Sequence, residues 1–122
     1  MLTFKTIRTV REDGMRGTYL RFYVQEDRTH HHLLAYEWLL EQAKKRGLHG
    51  GSAFRAVAGF GRHGTLHEDH FYELAGKLPV AVEFIVSDEE ADRFLTFLQA
   101  EELSLFYLKL PVEYAAIKGP TP

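Results

Sequence analysis

Six consecutive positions, Gly59-Phe60-Gly61-Arg62-His63-Gly64, bring three glycines together with a guanidinium and an imidazole. Glycine reaches backbone angles closed to other residues, so such a run can turn its amides toward an anion while Arg62 supplies charge. Gly59, Phe60, Gly61, Arg62, His63 and Gly64 are therefore candidate ligand-binding residues. The plainer alternative is that these glycines only shape a strand end. His63, His67 and His70 lie close together, with Glu68 and Asp69 between the last two. On a helix His63 and His67 would share a face, as would His67 and His70. Imidazole with carboxylate suits zinc, nickel or copper, which makes these three histidines candidate metal ligands. Solvated loop histidines are the competing reading.

Two further groups can do chemistry. Arg21, Arg55 and Lys109 are expected to converge with Glu83 on one sheet face. That cluster is either a second part of an anion site, through Arg21 and Lys109, or a set of interface salt bridges. His30-His31-His32 falls at the expected start of a helix, where it can supply a cap, a partner contact or nothing. The run lies inside the chain and is not read as a purification tag.

Gly59-x-Gly61-x-x-Gly64 also has the outward form of a dinucleotide fingerprint, with Glu83 at about the expected distance downstream. That fingerprint needs a strand that turns directly into a helix and an acid closing the next parallel strand. Here Glu83 falls within a strand expected to run antiparallel, so the match is read as accidental. No nucleophile, base and oxyanion donor assemble at a readable spacing, and an enzyme is the least expected class.

The elements that must position these groups follow from periodicity. Residues 19–25 alternate, with Leu20, Phe22 and Val24 on one face and Tyr19, Arg21 and Tyr23 on the other. Leu34, Ala35, Trp38, Leu39 and Ala43 take helical spacing, and Lys44, Lys45, Arg46 and Gly47 mark a C-terminus, giving a helix over about 32–46. A second strand is expected over 54–60 and a third from Pro79, with Val80, Val82, Phe84 and Val86 inward. Ser87-Asp88-Glu89-Glu90 is a capping box opening a second helix with Ala91, Phe94, Leu95 and Leu98 on one face. A last strand is expected over about 105–114, at an edge or bulged, because Pro111 lacks an amide donor.

The order β-α-β-β-α-β is the α+β ferredoxin-like plan, a four-stranded antiparallel sheet with two helices on one face. The other face is expected to show Tyr19, Arg21, Tyr23, Arg55, Val57, Ala81, Glu83, Ile85, Tyr107 and Lys109. Such a face is too apolar for water alone, and a homo-oligomer would bury it.

The chain of 122 residues reads as a single domain over 1–122, with 1–16 set apart as an N-terminal extension. Apolar residues make up 45% and charged residues 26%, an ordinary composition for a globular domain in water. The absence of cysteine excludes disulfides, thiolate metal sites and cysteine nucleophiles. A net charge of −2 argues against nucleic acid as a partner. No apolar run approaches a membrane span, the first residues lack a signal peptide's apolar stretch, and a cytoplasmic location is expected.

Four pieces together resemble one family. They are Leu20-Arg21-Phe22-Tyr23-Val24, Gly59-Phe60-Gly61, Leu78-Pro79-Val80 and Lys109-Leu110-Pro111-Val112-Glu113. Their order and spacing over about 17–114 are similar to the uncharacterised PII-like proteins related to nitrogen regulatory PII signalling proteins. The resemblance implies a PII-like trimer, with adenine nucleotides bound in clefts between subunits. It makes residues 59–63 the base of a T-loop and about 62–77 the loop that reads a partner. It also sets His63 where PII proteins carry a glutamine that contacts nucleotide and effector. One departure stands out: the glycine- and lysine-containing phosphate stretch before the last PII strand is replaced here by Glu101-Glu102-Leu103-Ser104.

The leading expectation is a non-enzymatic signalling homotrimer. It would bind a small anionic ligand, an adenine nucleotide foremost, and signal through residues 62–77 to a regulated protein such as a membrane transporter or channel. The alternatives are a metal-binding trimer like the copper-tolerance CutA proteins, taking a divalent metal through His63, His67 and His70, and an interaction module without a small ligand.

Overall fold

The computed structural model describes residues 14–59 and 78–120. Strand β1 (Met15–Gln25) leads into a small hairpin of β2 (Thr29–His30) and β3 (Leu33–Leu34). Helix α1 (Ala35–Lys45), β4 (Ser52–Arg55), β5 (Pro79–Val86), α2 (Asp88–Gln99) and β6 (Phe106–Tyr114) follow. The four larger strands form one sheet in the order β4-β5-β1-β6, antiparallel throughout. With the small hairpin set aside, this is the expected ferredoxin-like α+β plan. The first thirteen residues lie outside the described ones, and β1 begins two residues inside the segment set apart as an extension.

The two central strands carry the core because their alternation is cleanest. Leu20, Phe22 and Val24 of β1 and Val80, Val82, Phe84 and Val86 of β5 are buried against Trp38, Leu39 and Ala43 of α1 and Ala91, Phe94 and Leu98 of α2. Phe22, Phe84 and Phe94 meet edge to face, with centroids 5.6–6.1 Å apart. Gly17 lets β1 start against β5, since a Cβ there would run into the Val86 carbonyl oxygen.

The helix ends follow the sequence signals. Gly47 takes φ +85, and the Gly47 and Leu48 amides donate to the Lys44 and Ala43 carbonyls at 3.1 and 3.0 Å, which is a Schellman motif. At the start of α2 the Ser87 hydroxyl accepts from the Glu90 amide at 3.1 Å, and the Glu90 carboxylate accepts from the Ser87 amide at 2.8 Å. The Ser87 amide, above all, holds the Glu90 carboxyl below its ordinary value. Ser87→Ala should therefore cost about 1 kcal/mol in chemical denaturation at neutral pH. Because the folded value is the lower one, the Glu90 contribution is complete above the ordinary carboxylate range. It is lost as pH falls through the lowered value, and Glu90→Gln should remove that part of the stability profile.

Three expectations need correction. Helix α1 begins at Ala35, not near residue 32, because His31 and His32 form the turn of the β2–β3 hairpin and the Ala35 amide bonds to the Arg28 carbonyl at 2.7 Å. The second strand spans only Ser52–Arg55. Its partner β5 starts at Pro79, and the bond from the Ala56 amide to the Pro79 carbonyl at 2.9 Å is the last between the two among the described residues.

The third correction concerns which side chains share a face. Tyr107 pairs with Phe22, Lys109 with Leu20, and Arg55 with Val80, all on the helix-covered side. Phe106, Leu108 and Leu110 take the open face instead, beside Tyr23, Arg21 and Tyr19. Alternation in Phe106-Tyr107-Leu108-Lys109-Leu110 favours Tyr107 and Lys109 on the open face, the reverse of what is found; β6 is poorly buried in both phases, so burial does not enforce that parity, and a one-residue shift exchanges every side chain. Val57 lies beyond β4 and is almost wholly exposed. Pro111 is on an edge strand, as its missing donor required.

Candidate functional site

Antiparallel pairing gathers the connections of interest at one end of the sheet. There β1 ends at Gln25, β4 ends at Arg55, β5 begins at Pro79 and β6 begins at Phe106. Residues 60–77 connect Gly59 to Leu78 at this end and lie outside the described residues. Phe60, Gly61, Arg62, His63 and Gly64, and the candidate metal ligands His63, His67 and His70, fall among them. Gly59 is described and half-buried, and a Cβ there would touch the Pro79 ring.

Glu26 holds both legs of this connection. Its amide donates to the Leu78 carbonyl at 2.9 Å, while its largely buried carboxylate lies 2.6 Å from Arg55 Nε. Arg55 therefore serves the connection's base and does not join Arg21 on the open face. Sequence reading missed Glu26, because an acid just past a strand looks like a turn residue until β4 and β5 are brought against it.

On the open face Arg21 and Glu83 are register partners across β1 and β5, with Arg21 Nε 3.3 Å from Glu83 Oε2. That distance makes an ion pair, yet the N–H is off line for a hydrogen bond and remains an unused buried donor. The Arg21 guanidinium also lies 5.1 Å from the Tyr23 ring centre. Tyr19 ionises above its ordinary value, first because burial disfavours the phenolate and then because its hydroxyl bonds to Glu83. Lys109 lies on the other side of the sheet, so Arg21 and Lys109 are not brought together. Around the Arg21–Glu83 pair the face is apolar, and Phe54, Ile85, Phe106 and Leu110 are each about half exposed.

The same end of the sheet, on its helix side, holds a group that linear sequence could not assemble. His30 Nε2 and His31 Nε2 each lie 3.0 Å from Glu101 Oε1, across 71 and 70 residues of chain. An ionised carboxylate can only accept, so each ring donates its Nε2–H. These two bonds, His30 first, hold the Glu101 carboxyl below its ordinary value. The His30 ring meets Trp38 edge to face at 4.5 Å, and Arg28 Nη1 donates to the Ser104 carbonyl at 2.6 Å, tying the hairpin to the segment after α2.

A ferredoxin-like sheet in the order β4-β5-β1-β6, with residues 60–77 inserted between β4 and β5 at one end, has the PII-like fold. The chain belongs to the DUF190 family, described as an uncharacterized ACR, whose profile matches residues 17–102. It is 37% identical over 90 residues to a UPF0166 protein of Aquifex aeolicus (strain VF5), covering 74% of this chain and 86% of that one. A protein of Thermus thermophilus described as a PII-like signalling protein superposes with a TM-score of 0.60 at 21% identity, over 84% of this chain and 93% of its own. CPII of Thiomonas intermedia K12, a nitrogen regulatory PII-like protein bound to ADP, AMP and bicarbonate, gives 0.59 at 13% identity, over 86% and 99%. These structural likenesses establish the fold.

Proposed function

We propose that this protein is a PII-like regulator that binds an adenine nucleotide in clefts between the subunits of a homotrimer and reports it through residues 62–77 to a target protein. The observation that carries the proposal is the sheet end just described: both legs of the 60–77 connection are fixed by Glu26, at the border of an apolar face that a second subunit would cover. CPII, which shares the fold, has been seen with ADP and AMP. Gly59 and the following Phe60-Gly61-Arg62-His63-Gly64 would supply amides and charge to the phosphates, and Arg21 lies on the face turned toward the neighbouring subunit. The role is regulatory and not catalytic, in the cytoplasm, with a membrane transporter or channel as one class of target. Among the described residues no helix is long and apolar enough to cross a membrane.

A panel of ATP, ADP, AMP, cyclic nucleotides and bicarbonate, read by thermal shift and calorimetry, tests the proposal. A bound nucleotide at about 100 times its dissociation constant should stabilise the fold by about 2.7 kcal/mol. Arg62→Ala should weaken that binding without changing the thermal midpoint of the free protein. A flat response across the whole panel would sink the nucleotide reading. To switch the 62–77 segment almost completely, the ligand must favour one state over the other by about 5.5 kcal/mol.

A further inference from the structure

We infer that His30, His31 and Glu101 form a binding site for a divalent transition metal of the zinc class. Their ligand atoms, two imidazole nitrogens and one carboxylate oxygen, all lie within 4.8 Å of one another. Ligands at ~2.0–2.2 Å from a tetrahedral zinc stand about 3.3 Å apart, so both nitrogen–oxygen distances of 3.0 Å already approach what an ion needs. Binding requires that each ring present its Nε2 lone pair to the ion, with the Nε2 proton that faces Glu101 given up. Two nitrogens and one carboxylate leave positions open for water or another ligand.

The backbone supplies an independent observation. His31 and His32 are the two central residues of a two-residue hairpin, with φ +50 and +69. Positive φ at both is the type I′ pattern, which strongly favours Asn-Gly. This chain places two histidines there, and the turn sets the His31 ring against Glu101, 4.2 Å from the His30 ring. Glu102, next to the ligand carboxylate, also takes a positive φ, +57. Departures from local preference gather at sites held for function, and here both converge on one carboxylate.

The elements around the site fix its shape. His30 has a side chain only 15% exposed and rests on Trp38, whereas Glu101 and His31 are 25% and 64% exposed, leaving the ion an approach from solvent. An ion there would link the β2–β3 hairpin to the segment after α2. The site does not depend on nucleotide binding.

The test uses the full chain, stripped with a chelator and desalted, titrated with Zn²⁺ by calorimetry and with Co²⁺ by absorption. One equivalent per chain should bind at this site. His31→Ala and Glu101→Gln should each raise its dissociation constant at least about tenfold. Changing His63, His67 and His70 together to alanine should leave it in place. In the wild-type protein, NMR should show the His30 and His31 imidazole signals moving with Zn²⁺, a readout independent of any variant's folding. No saturable binding, binding unaltered by both substitutions, or binding lost only with the three loop histidines would overturn the assignment.

Discussion

Phe22→Ala should destabilise the fold by about 3–5 kcal/mol, a large part of the roughly 5–15 kcal/mol that holds a domain together. Phe22 is fully buried at the centre of β1, in contact with Phe84 of β5 and Phe94 of α2 at centroid distances of 6.1 and 6.0 Å. It thus joins both central strands to the second helix. Removing the ring forfeits its transfer free energy and leaves a cavity that two other rings and the sheet backbone cannot close. Urea denaturation followed by circular dichroism measures the loss as a lower midpoint at nearly constant slope. A loss below roughly 1 kcal/mol would mean the core repacks and that this three-ring contact is not its centre.

The second large effect concerns assembly. If the proposed homotrimer buries the open face, Ile85→Glu should turn it into monomers, read as molar mass by light scattering after size exclusion. Ile85 is about half exposed in the isolated chain, on the open face opposite Tyr19, so the fold of each subunit should survive with little change in stability. Inside an interface each new carboxylate would be taken out of water without a partner, at an effective cost of several kcal/mol per ion. A wild-type chain that runs as a monomer would remove the intersubunit cleft on which the proposed nucleotide binding rests, and a variant that stays trimeric would place the intersubunit contact on another face. The nucleotide panel then separates the remaining cases: a trimer without nucleotide response is an assembly whose ligand is of another class.

The strands and helices were legible where burial imposed one phase on the sequence. β1 and β5 are covered on one face only, so Leu20, Phe22 and Val24, and Val80, Val82, Phe84 and Val86, could point just one way. The ends of the helices were legible because caps are local: Ser87 with Glu90, and Gly47 after Lys44 and Lys45, act within a few residues of themselves. β6 was not, because an edge strand poorly buried in both phases loses little with either parity, and its register against β1 decides that Lys109 shares a side with Leu20 and not with Arg21.

By itself the sequence determined the order of the four main strands and two helices, the core and the helix caps. These depend on periodicity and on chain neighbours. Tertiary structure alone decided that Arg55 belongs to Glu26, that Arg21 and Lys109 are parted by the sheet, and that His30 and His31 meet Glu101. Each of those pairings spans tens of residues and is set by strand register and by where α2 ends. No local pattern of residues encodes such distances; they exist only once the chain has closed on itself.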